Sequence, residues 1–407
     1  MLLSNPTIIY RNVGKHTHLL NYTTGQLMSF DISDGTFLIE NLATIKTADL
    51  DDELLDFFTE SNQQNNSRLY RTTLVELGME FSFPTTVNIE INRRCLLRCQ
   101  HCYITHDELV SSGNEYFDKL RTEKIENLID ELVEMGVFLI VLTGGEPFLN
   151  RNLENFIRKA ASKQVIIEIF SNLQFLPEWF KTIEASQLSI GRIQTSVYSR
   201  LPDIHDNITR RQGSHARTLE DLQWLKNKGY YVEVATPLMK LNFDSRHGTE
   251  KFFRDREIHH DFSYPIMGEY YVSEKTKSTL NITSEQFAQF CDEKPDFLIK
   301  VDCSNSNNPV CAAGNALFSI SANGDVFPCS QYPQKVGSVL SSPLKDIWLS
   351  AGMRNVANCK LHQIGQNPLP YNFCMGNNFS ETGHPFQVPE FLQEAFAFYE
   401  KKGGEKR

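Results

Sequence analysis

Apolar positions between residues 85 and 268 recur with two alternating periods. "VNIEI" (87–91) reads as a first strand. Ile125, Leu128, Ile129, Leu132 and Val133 then fall at i, i+3, i+4, i+7 and i+8, which predicts one face of a helix. Thr122 is placed to cap its start, and Gly136 sits where it stops. "VFLIVL" (137–142) is a continuous apolar run, the pattern of a strand buried on both faces. The alternation repeats. A helix carrying Leu153, Phe156, Ile157 and Ala160 leads to the strand "VIIEIF" (165–170). A fourth strand falls near "RIQTSV" (192–197). A helix with Leu219, Leu222 and Leu225 ends at Gly229 and is followed by "YYVEVAT" (230–236). A sixth strand lies near "HHDFSYPI" (259–266). Six strand–helix units predict an α/β fold, a parallel sheet curved into an open, partial (β/α)6 barrel. In such folds ligands sit at the C-terminal ends of the strands.

The flanks read differently. In residues 1–75, "HLLNYTTGQLMSFDI" predicts a hairpin turning at Thr23, Thr24 and Gly25. Asp34-Gly35, an apolar stretch at Phe37, Leu38 and Ile39, and the acidic helix "DLDDELLDFFTE" follow, together a small α+β module. The polar run "TESNQQNNSR" (59–68) reads as a linker. Residues 280–385 read as irregular, with few long helices, and residues 386–407 hold a terminal helix, "PEFLQEAFAFYEKK", and tail.

With 407 residues there is room for two or three domains, and 22% charged residues is globular composition. A net charge of −10 repels phosphate backbones, which argues against nucleic acid as a partner. No long apolar run and no signal-peptide pattern are present, so a cytoplasmic protein without membrane spans is expected. Thiols stay reduced there, and nine cysteines then point to metal ligation or chemistry rather than disulfides.

Three of the nine stand together in "CLLRCQHC": Cys95, Cys99 and Cys102, on the loop that follows the first barrel strand. A zinc site or buried core cysteines are the bland readings. The other is a [4Fe–4S] cluster with one iron left open, since three thiolates leave the fourth iron without a protein ligand. A molecule with an amine and a carboxylate can chelate that iron. "TGGEP" (143–147) ends the second strand, "FSN" (170–172) the third and "TSVYS" (195–199) the fourth, with "HDNITRRQGS" (205–214) after it. Taken in order, these motifs resemble those of the radical S-adenosylmethionine (radical SAM) superfamily over residues 85–268. The resemblance implies that Cys95, Cys99 and Cys102 hold the catalytic [4Fe–4S] cluster. Gly144, Gly145, Glu146, Pro147, Ser171, Asn172, Ser196 and Arg210 are then the expected S-adenosylmethionine contacts, with Glu146 accepting from the methionine ammonium.

Six further cysteines lie after residue 280: Cys291, Cys303, Cys311, Cys329, Cys359 and Cys374. "CAAGNALFSISANGDVFPC" (311–329) followed by "GSVLSSPLKDIW" (337–348) resembles the SPASM domain of peptide-modifying radical enzymes, which usually carries two auxiliary clusters. Here His362 and Asn378 stand where that family has cysteines. Cys303, Cys311, Cys329, Cys359 and Cys374 suffice for one auxiliary [4Fe–4S] cluster and not two. Cys311 and Cys329 are the firmest ligands, then Cys374 and Cys303, with Cys359 either the fourth ligand or spare. Cys291 lies in a helical pattern and is expected in the core. Zinc is disfavoured in this segment because no close cysteine pair occurs there.

The resemblance implies a maturase of ribosomally made peptides. Residues 1–75 would bind the precursor's leader by strand addition, and a donor such as flavodoxin or ferredoxin would supply electrons. A C–C or thioether crosslink is the expected product. Epimerisation is the alternative and needs a thiol donor, Cys359 or Cys291. An enzyme maturing a whole protein, such as a sulfatase maturase, and a degenerate peptide- or metal-binding barrel are the remaining alternatives.

Overall fold

The computed structural model describes residues 8–41, 52–59, 67–104, 120–184, 188–266, 277–297, 307–364 and 374–401. Cys303 and residues 60–66 of the expected linker lie outside them. The chain opens with an antiparallel sheet of β1 (Ile8–Val13), β2 (His16–Asn21) and β3 (Gln26–Asp31), in that spatial order. The turn between β2 and β3 falls at Thr23–Gly25 as expected, and Gly25 takes φ +77° there. Three helices follow: α1 (Ile32–Asn41), α2 (Asp52–Thr59) and α3 (Ser67–Phe81). The stretch Phe37–Ile39 belongs to α1.

The six strands predicted for the barrel are all present, in order and parallel: β4 (Thr86–Asn92), β5 (Leu139–Gly144), β6 (Ile166–Phe170), β7 (Ile190–Ser196), β8 (Val232–Pro237) and β9 (His259–Ser263). Between them run α4 (Thr122–Glu134), α5 (Leu153–Ser162), α6 (Glu178–Thr182), α7 (Pro202–Thr209), α8 (Ser214–Asn227) and α9 (Arg246–Arg254). The apolar run of β5 is buried on both faces. Ile140 and Leu142 join the layer with Leu128, Leu132, Phe156 and Ile157 of α4 and α5. Leu139 and Val141 face the other way, into a core with Tyr70, Leu74 and Leu77 of α3. Gly136 stops α4 at φ +96°. Thr122 does not cap it: Arg121 is the N-cap, and Thr122 Oγ1 accepts from Asn152 Nδ2 at 2.7 Å.

A boundary after residue 75 does not survive, because α3 crosses it. This helix lies against the inner face of the sheet and carries the small module with it, since Ile9 and Leu20 share its core. The contact is also ionic. Glu168 on β6 is fully buried and accepts from Tyr70 Oη at 2.6 Å and from Arg192 Nη2 at 2.6 Å; Arg71 and Arg192 both pair with it. Arg192 continues to Glu233 on β8. Burial raises the pKa of the Glu168 carboxyl, and Arg71 opposes that rise.

The C-terminal segment was expected to be irregular, and part of it is sheet. After α10 (Lys277–Leu280) and α11 (Ser284–Glu293), β10 (Leu317–Ile320) pairs parallel with β4, and β11 (Asp325–Phe327) and β12 (Gly337–Ser338) extend that edge. The result is one nine-stranded sheet, β12-β11-β10-β4-β5-β6-β7-β8-β9. Then come α12 (Leu344–Trp348), α13 (Ala351–Ala357), α14 (Met375–Thr382) and α15 (Glu390–Lys401). The expected terminal helix, α15, packs on α11 through Phe287, Phe290, Ala395 and Phe396, and Cys291 is buried in that core. Among the described residues no helix is long and apolar enough to cross a membrane.

Two outcomes follow. Arg192→Met leaves Glu168 and Glu233 short of their shared cation, and urea unfolding should show a loss of about 3–5 kcal/mol. His260 stacks on Phe253 at 5.2 Å, and burial lowers its pKa from 6.5 to about 4. The unfolded chain therefore binds a proton that the folded chain refuses, so this part of the stability is lost as pH falls from 6.5 towards 4. In His260→Phe the acid side of the stability–pH curve should be shallower by up to one proton.

Candidate active site

The loop after β4 carries the three cysteines, and it is held by the glycine end of β5. Gly145 N donates to Asn92 O at 2.9 Å and Glu146 N to Arg94 O at 2.7 Å. The approach leaves no room for side chains. A Cβ on Gly144, which takes φ +126°, would lie 2.1 Å from Asn92 O, and one on Gly145 would lie 2.3 Å from Arg94 O. These glycines were expected to admit a bound methionine; the structure shows that they first admit the cysteine loop.

Glu146 caps the short turn Pro147–Leu149 and is fully buried. Its Oε1 accepts from Phe148 N at 3.1 Å and Ser171 Oγ at 2.8 Å, and its Oε2 from Asn172 N at 2.8 Å. Burial pushes its carboxyl up to about 7, against those three donors. The expected methionine contact is thus also the brace between the ends of β5 and β6.

Asn172 passes the brace on to the thiols. Its Nδ2 donates to Cys95 Sγ at 3.2 Å, and Leu97 N donates to the same sulfur at 3.4 Å. Ser196 ends β7, two residues before Tyr198, whose hydroxyl lies 3.8 Å from Cys99 Sγ. Burial pushes the Cys99 thiol up to about 12, with Cys102 and then Cys95 adding to the rise. Arg210 is exposed, in a left-handed conformation at the end of α7. Sequence reasoning passed over Tyr198, although it stands inside the quoted "TSVYS"; its reach to Cys99 is a product of folding.

The residues fit an iron–sulfur cube. All three thiols are free, and N–H donors already point at Cys95 sulfur, as they do at thiolates bound to iron. Among the described residues no three His, Cys, Asp or Glu side chains close on a single metal ion. A cube holds each thiolate on a different iron, so its ligands stand farther apart than those of one zinc ion.

A second group of thiols forms beside the sheet extension. Burial pushes Cys311 up to about 12, and Cys329, Cys374 and Cys359 all add to the rise. Burial likewise pushes Cys329 up to about 11, with Cys374 adding. Cys311, Cys329 and Cys359 pack in one apolar cluster with Tyr332, Val356, Met375 and Phe379, and Cys374 directly precedes Met375. Cys374 caps α14, and its sulfur accepts from Asn377 N at 3.5 Å. His362 is exposed, and Asn378 is buried with its amide donated to Pro385 O at 3.1 Å.

These placements make a prediction about iron. Replacing Cys95, Cys99 and Cys102 together by Ala should remove one cluster's share of the iron from anaerobically prepared protein. The share held by the second group should remain. A variant with wild-type iron content would show that the three thiols are not ligands.

Comparison with known proteins agrees with the geometry. Residues 89–253 match the radical SAM superfamily, and residues 311–376 match the SPASM iron–sulfur cluster-binding domain. The chain is similar to the antilisterial bacteriocin subtilosin biosynthesis protein AlbA of Bacillus subtilis, 25% identical over 73% of this chain and 68% of the relative. It is similar to the sporulation killing factor maturation protein SkfB of the same organism, 24% identical over 76% of this chain and 74% of the relative. The fold is shared with Streptococcus suis SuiB bound to its precursor peptide SuiA (TM-score 0.61, 14% identity, 95% of this chain and 98% of that one). The chain carries a radical SAM domain over residues 89–253 and a SPASM iron–sulfur cluster-binding domain over residues 311–376.

Proposed function

We propose that this enzyme matures a ribosomally made precursor peptide, recognised through its leader, by forming a C–C or thioether crosslink in it. The observation that carries the reading is the amino-terminal sheet. β3 pairs only with β2 among the described residues and is the most exposed of the three strands. Beside it, Leu69 of α3 is exposed, and Thr73 Oγ1 donates to Gly25 O at 2.9 Å. An unpaired strand edge with an exposed leucine beside it accepts an extended peptide by strand addition. The names of AlbA and SkfB and the SuiA-bound structure of SuiB support a peptide as substrate.

From that edge, α3 leads to the barrel interior. A cavity of about 300 Å³ lies there, lined by Arg71, Arg192, Gln194, Glu233, His259 and Asp261. Ala235 lines it too, and that residue pairs in register with Ser196, so the cavity reaches the level of the strand ends that face the cysteine loop. Its polar lining suits a hydrated peptide segment.

Cys95, Cys99 and Cys102 take three irons of the catalytic cluster. Gly144, Gly145, Glu146, Pro147, Ser171, Asn172 and Ser196 form the strand ends that hold S-adenosylmethionine, with Arg210 at the exit of α7. When bound and reduced, the cluster supplies one electron that cleaves S-adenosylmethionine, and the 5′-deoxyadenosyl radical formed removes a hydrogen from the peptide. Cys311, Cys329, Cys359 and Cys374 saturate one auxiliary cluster, which can accept the electron left over from bond formation.

Two observations support crosslinking over epimerisation. Cys291 is sealed in the core between α11 and α15 and cannot return a hydrogen to a substrate. Cys359 packs in the same apolar cluster as Cys311 and Cys329. Co-expression with the short open reading frame nearest its gene, followed by mass spectrometry of the peptide, tests the proposal. A peptide lighter by two hydrogens is expected, with fragmentation locating the bond. An unchanged mass with one deuterium gained in heavy water would make the enzyme an epimerase instead.

A further inference from the structure

We propose that the outer face of the cysteine loop is the docking surface for an acidic, one-electron carrier protein. This rests on the reading of Cys95, Cys99 and Cys102 as ligands of a cluster that must be reduced before each cleavage. The transfer is a single electron: the carrier is oxidised by one electron and the cluster reduced by one, with no bond made or broken. Electron transfer weakens steeply with distance, so the carrier must approach the cluster through the thinnest cover. All three cysteines of the loop are partly exposed, so the loop itself offers a thin cover.

Its charge is unlike that of the rest of the chain. The protein has 50 acidic against 40 basic residues. Yet residues 93–104, "RRCLLRCQHCYI", contain three arginines and no carboxylate, and residues 207–217, "NITRRQGSHAR", contain three more arginines and none. The fold places these two segments side by side. Arg98 N donates to Thr209 O at 3.1 Å, and Gln100 N to Ile208 O at 2.9 Å. Arg211 Nη1 donates to Leu96 O at 3.1 Å. Arg94, Arg98, Arg210 and Arg211 are all exposed, and Leu96 between them is 40% exposed.

Among the described residues, Arg94, Arg98 and Arg210 have no ion-pair partner. The carboxylate nearest Arg210 in sequence, Asp206, is turned inward to Gly213 N, Ser214 Oγ and His215 N. Unpaired guanidinium groups around one exposed leucine have the anatomy of a small interface, an apolar contact with a charged rim. Weak redox encounters use interfaces of this size. On an acidic protein, such a patch also steers an acidic partner to this face and away from the others, which raises the association rate at low salt.

The test compares two reductants on the intact enzyme. Arg94→Gln/Arg98→Gln and, separately, Leu96→Asp are assayed for 5′-deoxyadenosine formation, driven either by reduced flavodoxin or by dithionite. For both variants, the KM for flavodoxin at low salt should rise about tenfold or more. The kcat, the iron content and the dithionite-driven rate should stay within about twofold of wild type. Added salt should slow the flavodoxin-driven reaction of wild type more than that of the arginine variant. Equal flavodoxin KM values in wild type and variants would overturn the proposal. So would equal losses with both reductants, which would assign the arginines to the cluster's own stability. A raised KM for the precursor peptide alone would assign the patch to the substrate and overturn it as well. Absence of cleavage by wild type with either reductant would instead overturn the radical reading on which the proposal rests.

Discussion

The site depends on the contact between the glycine end of β5 and the backbone of the cysteine loop. Two main-chain hydrogen bonds, from Gly145 N and Glu146 N, hold the loop at a separation that excludes any Cβ. The buried Glu146 carboxylate then ties this strand end to the next one through Ser171 and Asn172, and Asn172 reaches the sulfur of Cys95. A carboxylate with no exposed surface is costly unless it is fully hydrogen-bonded. Three donors offset that cost, and they convert Glu146 into a rigid spacer between two strand ends and one thiol. Preorganisation of this kind is what three cysteines on a loop need if they are to present sulfurs to a cluster in fixed directions.

A second ionic arrangement ties the amino-terminal module to the barrel. Tyr70 and Arg71 leave the amino-terminal module on α3 and meet Glu168, Arg192 and Glu233 inside the barrel. The module is therefore built into the barrel wall. The start of β3 and the interior cavity both lie beside the first turns of α3, at Leu69 and at Arg71.

The C-terminal segment shows how a run poor in long helices can still be ordered. Its strand β10 borrows the edge of β4, and β11 and β12 follow, so its backbone hydrogen bonds are met by the barrel's own sheet. Beyond that edge, a small apolar cluster that includes Tyr332 and Phe379, stacked at 4.8 Å, takes in Cys311, Cys329 and Cys359. Such a small core gains stability from metal ligation.

The sequence by itself determined the order and type of the barrel elements, because each strand buries both faces or one and each helix a single stripe, and those periods are local. It also marked Cys95, Cys99 and Cys102 and the strand-end motifs as the candidate site, since their spacing lies within single loops. It placed Cys291 in the core for the same reason. It did not show α3 as the bridge between module and barrel, since Tyr70 and Glu168 are 98 positions apart and nothing local marks their pairing. Nor did it choose among the C-terminal thiols: the grouping of Cys359 with Cys311, Cys329 and Cys374 depends on four segments meeting. The inward turn of Glu146, the reach of Tyr198 to Cys99 and the joining of two arginine-rich loops over the cysteines were likewise decided by tertiary structure. Direction and contact between distant segments arise only when the sheet has curved and closed its strand ends together.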